Sequence, residues 1–276
     1  MTDPTGQPTG QPTGQPERRE ERRHFEYFWD LIFGGLRAAR ARGRSFAEGL
    51  GIFLVAGAIV AIIGTSAFAF VAGHVRSGGT QRFDDAVMTY LGDHRSPAVE
   101  RFMLEVTYLG TAVTVMTMVA VVGLFLFLTQ HRYSALLLAV ATVGGIILNN
   151  ILKLGFDRPR PRIFTWGQEA MSSSFPSGHA MSAAIVYFTI AYLAARLEPH
   201  RFLRALIMIV ALTLVALICI SRLYLGVHYP SDVLAGVLIG LAWAGFCMAT
   251  LEAIQKFAVN SRPSLQNAEV PAPEAT

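Results

Sequence analysis

Three short polar clusters interrupt a chain that is otherwise mostly apolar. The first is Lys153-Leu154-Gly155-Phe156-Asp157-Arg158-Pro159-Arg160-Pro161. The second is Ser174-Phe175-Pro176-Ser177-Gly178-His179. The third is Ser221-Arg222, followed by His228-Tyr229-Pro230-Ser231-Asp232. Lys153, Arg222 and an arginine of the first cluster are cations that repel one another unless an anion lies between them. Arginine's planar fork matches phosphate oxygens bidentately, and lysine adds a point charge. Pro159 and Pro161 stiffen the first cluster, because proline fixes φ. Spacing alone does not choose between Arg158 and Arg160, since each precedes a proline.

The second cluster precedes an apolar run, so Pro176-Ser177-Gly178-His179 is expected to open a helix. Free N–H groups and the dipole at a helix start attract anions. Ser177 adds a hydroxyl, and Gly178 permits close approach of backbone to ligand. In the third cluster His228 lies four residues before Asp232. A carboxylate in reach of an imidazole fixes its tautomer and stabilises the charge that develops when the other nitrogen attacks. Two histidines, three cations, a helix start and an orienting carboxylate make a set for phosphoryl transfer. One histidine attacks phosphorus, the other protonates the leaving oxygen, and the cations hold the equatorial oxygens. No Asp, Glu and His grouping resembles a magnesium or zinc site, so neither metal nor cofactor is expected.

These clusters must be positioned by membrane spans. Six apolar runs are expected to cross a bilayer: 49–75, 106–130, 133–152, 180–195, 205–220 and 233–251. A helix of about 20 residues crosses the hydrocarbon core. The fourth and fifth runs are shorter, but Gly178-His179 can extend the fourth, and Arg196, Arg201 and Arg204 can snorkel. Two crossings separate the loop bearing the first two clusters from the loop bearing the third, so all three share one membrane face.

Orientation follows from loop charge. Arg37, Arg40, Arg42 and Arg44, then His131 and Arg132, then Arg196, His200, Arg201 and Arg204, then Lys256 and Arg262 fall on one side. Both termini are therefore expected in the cytoplasm, with the clusters on the outer or periplasmic face of the inner (plasma) membrane. Lys153, Arg158, Arg160, Arg162 and Arg222 run against that bias, and so call for another reason to be there.

Composition agrees. The chain of 276 residues is 53% hydrophobic and 15% charged, against about 25% charged in soluble domains. Its net charge of +4 forms no continuous basic face, which argues against a nucleic-acid partner. Cys219 and Cys247 lie in apolar runs without metal-site spacing and are expected as buried free thiols. Residues 1–24, with Pro-Thr-Gly-Gln repeated three times, are expected to be a disordered tail. Residues 25–48 are expected to form an amphipathic helix on the membrane surface or on the protein. Residues 49–256 are expected to form the six-span domain, and 257–276 a disordered tail.

On these residues the chain resembles the type 2 phosphatidic acid phosphatases, a family that shares its site with vanadium haloperoxidases. The family pattern is Lys-x6-Arg-Pro, then Pro-Ser-Gly-His, then Ser-Arg-x5-His-x3-Asp. Lys153 to Arg160-Pro161, Pro176 to His179, and Ser221-Arg222 with His228 and Asp232 match every position. The match selects Arg160 over Arg158. The resemblance implies that His228 is the nucleophile and forms a phosphohistidine. Asp232 orients it, and His179 is the general acid. Lys153, Arg160, Ser177, Gly178 and Arg222 would bind phosphate, while Pro161, Pro176 and Ser221 look structural. It also implies an all-α helical bundle and metal-independent activity.

A pocket at the membrane interface suits a lipid phosphate: phosphatidic acid, phosphatidylglycerophosphate or undecaprenyl pyrophosphate. The alternative is a phosphotransferase that moves phosphate from a lipid pyrophosphate to another lipid with the same residues. A haloperoxidase would need vanadate in the same pocket, and the six spans argue against it. Membrane lipids are the expected surroundings, and the sequence leaves the oligomeric state open.

Overall fold

The computed structural model describes residues 44–161 and 173–260, which are helices joined by turns and short loops, with no strand among them. The helices are α1 (Arg44–Arg76), α2 (Gln81–Asp93), α3 (Pro97–Tyr108), α4 (Ala112–Leu128), α5 (Arg132–Leu154), α6 (Gly178–Leu197), α7 (Arg201–Tyr224) and α8 (Pro230–Asn260). Two compact units divide the chain: Gly51–Gln255, and Met1–Leu50 with Lys256–Thr276. All the side chains discussed below belong to the first. The expected N-terminal tail, most of the 25–48 helix and most of the C-terminal tail lie outside the described residues. Within them, 44–48 open α1 and 257–260 close α8.

The molecule is an all-helical, multi-pass membrane protein. Five stretches are long and apolar enough to cross a bilayer: Gly57–Arg76 of α1, then α5, α6, α7, and Pro230–Leu251 of α8. Helices α3 and α4 pass the same test together but bend by 44° at their junction. Counted as one span they make six. The shortness of the fourth and fifth runs disappears, because α6 begins at Gly178 and α7 reaches from Arg201 to Tyr224.

The second span differs from its expectation as one run over 106–130. Its break falls at Leu109-Gly110-Thr111. Thr111 is extended (φ −69°, ψ 152°), and its side chain accepts the N–H of Thr114 as an N-cap. Gly110 is pressed onto the neighbouring helices. A Cβ there would come within 2.8 Å of Ile218 Cγ2 and 3.0 Å of His179 Cδ2. The segment 76–105, which links the first two expected runs, contains α2 and the start of α3, which opens with Pro97 after extended Ser96.

Lipid-facing surface explains the exposed side chains. The best window of α7 has a mean hydropathy of 2.8, yet only 22% of it is buried within the protein. Val113 and Phe202 are 78% and 77% exposed. Apolar surface on this scale needs hydrocarbon to cover it.

Helix α6 is the axis of the bundle. It packs on α4, α5 and α7, and buries Met181, Ile185, Val186 and Leu193. A helix apolar on all sides belongs in such a position. Helix α8 reaches it through two glycines. A Cβ at Gly236 would lie 2.6 Å from the Ser177 carbonyl, and one at Gly240 2.9 Å from that of Met181. Small residues at a crossing let two backbones approach closely. Cys219 is half-buried, Cys247 is buried, and both are free.

Candidate active site

Backbone hydrogen bonds draw the three clusters together. The Ser174 N–H donates to the Arg158 carbonyl at 2.9 Å, and Ser174 Oγ donates to the Pro159 carbonyl at 3.2 Å. The first and second clusters are thereby joined. Phe175, fully buried, anchors the joint between Phe156 and Phe68, with ring centroids 4.6 and 5.8 Å away. The Ser177 N–H donates to the Asp232 carbonyl at 3.0 Å, joining the second cluster to the third.

His228 lies in the turn before α8 and is 2% exposed. Its two ring nitrogens face different groups. Nδ1 is 3.7 Å from Asp232 Oδ2. Nε2 accepts from Arg160 Nη1 at 3.4 Å, and the same Nη1 donates to the Val227 carbonyl at 3.0 Å. An accepting Nε2 leaves the ring proton on Nδ1, toward Asp232. Burial pushes His228 down from 6.5 to about 4, against the pull of Asp232, and Arg222 and Arg160 push it the same way. The imidazole is therefore neutral at physiological pH, with its lone pair directed at a cation.

The remaining groups gather on that side. Arg222 closes α7 and donates from Nη1 to Thr107 Oγ1 at 2.6 Å. Lys153, in the last turn of α5, lies in the electrostatic field of Arg160, Arg222 and Asp232. His179, in the first turn of α6, lies in that of Arg222, His228, Lys153 and Arg160. Ser177 occupies the N-cap position of α6 without capping it. Among the described residues its buried Oγ has no hydrogen-bond partner, and neither has Arg222 Nε. Buried polar atoms without partners are costly, and an anion with several oxygens would satisfy donors of this kind.

Gly178 has a protein neighbour as well. A Cβ there would approach the Asn149 Nδ2 of α5 to 3.3 Å. Ser221 is buried and donates to the Ile218 carbonyl at 2.6 Å, tying down the end of α7. Asp232 Oδ2 also accepts the Tyr229 N–H at 2.9 Å, so one carboxylate fastens the start of α8 and faces His228. Among the described residues no three His, Cys, Asp or Glu side chains group as a metal site would require.

Four participants escape motif reading. Thr107 holds Arg222, Asn149 lies under Gly178, and Asp84 and Ser231 meet Arg158. Thr107 and Asp84 come from segments remote in sequence, and nothing in their local pattern points to the site.

Residues 132–256 match the model of the PAP2 superfamily. The chain is 32% identical over 178 residues to phosphatidylglycerophosphatase B of Bacillus subtilis, covering 63% of this chain and 86% of the relative. The chain belongs to the PAP2 superfamily. It is also 30% identical over 139 residues to an undecaprenyl-diphosphatase of Sulfolobus acidocaldarius, covering 49% of this chain and 63% of that one. A crystal structure of a transmembrane PAP2-type phosphatidylglycerolphosphate phosphatase from Bacillus subtilis superposes with a TM-score of 0.63 at 28% identity, over 74% of this chain and 98% of the other. These PAP2 relatives are phosphatases by name, in agreement with the expected class of phosphoric ester hydrolase.

Proposed function

We propose that this PAP2 protein hydrolyses a lipid phosphate or diphosphate through a phosphohistidine on His228, without a metal. The observation that carries this reading is the orientation of His228. Nε2 faces Arg160, in the field of Arg222, and Nδ1 faces Asp232. Nε2 attacks phosphorus, the bond to the leaving oxygen breaks, and His179 supplies that oxygen's proton. Water then attacks the phosphohistidine with His179 taking its proton, the P–N bond breaks, and inorganic phosphate leaves. Lys153, Arg160, Arg222, Ser177 and the backbone at Gly178 hold the equatorial oxygens. Fixed cations in a water-poor site stabilise charge at phosphorus without reorganising.

The substrate class follows from where the site lies. The clusters stand at the ends of spans, so a phosphate held there projects its tail into the bilayer. Phosphatidylglycerophosphate and undecaprenyl diphosphate are the candidates that the relatives' names favour, and phosphatidic acid is the third. The loop charges support a site on the outer face of the inner (plasma) membrane, with both termini in the cytoplasm.

The test is phosphate release by detergent-solubilised protein with EDTA present. The panel contains the three lipids and a soluble phosphomonoester. Release from one lipid in EDTA, competitive inhibition by vanadate, and a loss of at least about a thousandfold in His228→Ala are expected. Abolition by EDTA, or native activity in His228→Ala, contradicts the reading.

A further inference from the structure

Arg158, which the family pattern passes over in favour of Arg160, makes several polar contacts beside the site. Its Nη1 donates to Asp232 Oδ1 at 2.5 Å and to Ser231 Oγ at 2.8 Å. Its Nη2 donates to Asp84 Oδ2 at 2.8 Å and to Gln81 Oε1 at 3.2 Å. The guanidinium also lies over the Tyr229 ring, 4.3 Å from its centroid. Asp84, on α2, is fully buried. It accepts the Ser231 N–H at 3.0 Å and the Ser231 hydroxyl at 2.6 Å. A carboxylate of the extramembrane helix α2 thus caps the start of α8 from outside.

We infer that Arg158 and Asp84 are positioning residues that set the orientation and the effective charge of Asp232 behind His228. The contacts divide the Asp232 carboxylate in two. Oδ1 is held by Arg158, so Oδ2 is turned toward the Tyr229 N–H and His228 Nδ1. Without Arg158, Oδ1 loses its partner and the carboxylate is held only through Oδ2, by the Tyr229 N–H. Asp84 in turn fixes Arg158 and the first turn of α8, so the orientation of His228 depends on a helix that contributes no residue to phosphate binding. Burial pulls Arg158 down, but Asp232 and Asp84 outweigh it and hold it above its ordinary value, which keeps the guanidinium charged. The function is positional and electrostatic: the guanidinium partly neutralises Asp232, which moderates its pull on the His228 proton.

This inference rests on the phosphohistidine reading above, so native enzyme and His228→Ala are run beside the new variants. Arg158→Gln, Arg158→Lys and Asp84→Asn are assayed in detergent for kcat, KM and the acid limb of kcat/KM. The groups around His228 are Asp232 of α8, Arg222 of α7, Arg160 of the loop and His179 of α6, with Lys153 of α5 acting on His179 and Arg158 of the loop reaching His228 through Asp232. Only the last is altered in the arginine variants. Losing its charge makes His228 easier to protonate, so the acid limb of Arg158→Gln moves to higher pH. Losing the Asp84 charge leaves Arg158 more fully engaged on Asp232, so the limb of Asp84→Asn moves to lower pH. The substrate's own ionisation is common to all variants and cancels.

Expected for Arg158→Gln are a fall in kcat of about tenfold or more, a KM within about threefold, and an acid limb raised by about half a unit or more. Arg158→Lys recovers part of kcat and keeps the native limb. Native kcat in Arg158→Gln, or equal losses in the Gln and Lys variants with an unmoved limb, overturns the inference and leaves Arg158 a structural residue. If Arg158→Gln does not fold, Arg158→Lys decides: lowered kcat at unchanged KM supports the positioning function, and native kcat overturns it. An inactive native enzyme instead overturns the hydrolase reading, and this inference with it.

Discussion

On the proposed mechanism His228 must be neutral to attack phosphorus, and burial holds it at about 4 against an ordinary 6.5. The sign is simple: protonation removes the attacking lone pair, and the folded value lies below the ordinary one, so activity is retained through pH 5–6 and lost toward about 4. After correction for ionisation of the substrate phosphate, with its second pKa near about 6, kcat/KM is expected to show an acid limb well below 6.5. A limb at or above 6.5 would mean that His228 is solvated or is not the titrating base. Arg222 offers a second test. Thr107 Oγ1 accepts from it at 2.6 Å, and a hydrogen bond to a charged group contributes about 1.5–3 kcal/mol. Thr107→Val should therefore raise KM about tenfold and lower kcat less, in steady-state assays. At this scale the residues that the structure gathers could be picked out by their types, and Arg160 over Arg158 by the resemblance to the family pattern. Thr107 and Asp84 could not, since a threonine in an apolar span and one aspartate among several carry no local signal. Arg158 was visible as a cation, but the contacts that distinguish it from Arg160 are made with α2 and α8, remote in sequence.

At the scale of elements, the close crossing of α6 and α8 sets the distance between the two histidines, because Ser177 and Asp232 are bonded across it. Gly236→Val places its first side-chain carbon 2.6 Å from the Ser177 carbonyl, so one helix must move. A cost of about 1–3 kcal/mol is usual for overpacking. A lower unfolding temperature and a fall in kcat are expected together. Native kcat in Gly236→Val would show that the crossing does not control the site. The apolar runs were readable from hydropathy, since a run like that of α7 needs hydrocarbon to cover it. The break between α3 and α4 was not. Gly110 and Thr111 are uncharged and pass as apolar, and the bend arises from packing against Ile218 and His179.

For the whole molecule, the parity of the spans requires the three clusters to share one face, and the bonds between Arg158, Ser174, Ser177 and Asp232 bring them together there. Orientation is open to direct test. A cysteine introduced at exposed Arg82 of α2 should react with a membrane-impermeant maleimide in intact cells, in a background with Cys219 and Cys247 replaced by alanine. One introduced at exposed Arg201 should react only after permeabilisation. The reverse pattern would put the site in the cytoplasm. The central claim, attack by His228, is tested most directly by rapid quenching of turnover with radiolabelled lipid phosphate, followed by mapping of the labelled peptide. The expected result is a base-stable, acid-labile phosphoryl group on His228 that is absent from His228→Ala. Label on another residue, or a native enzyme that turns over with no labelled protein at any quench time, would contradict it.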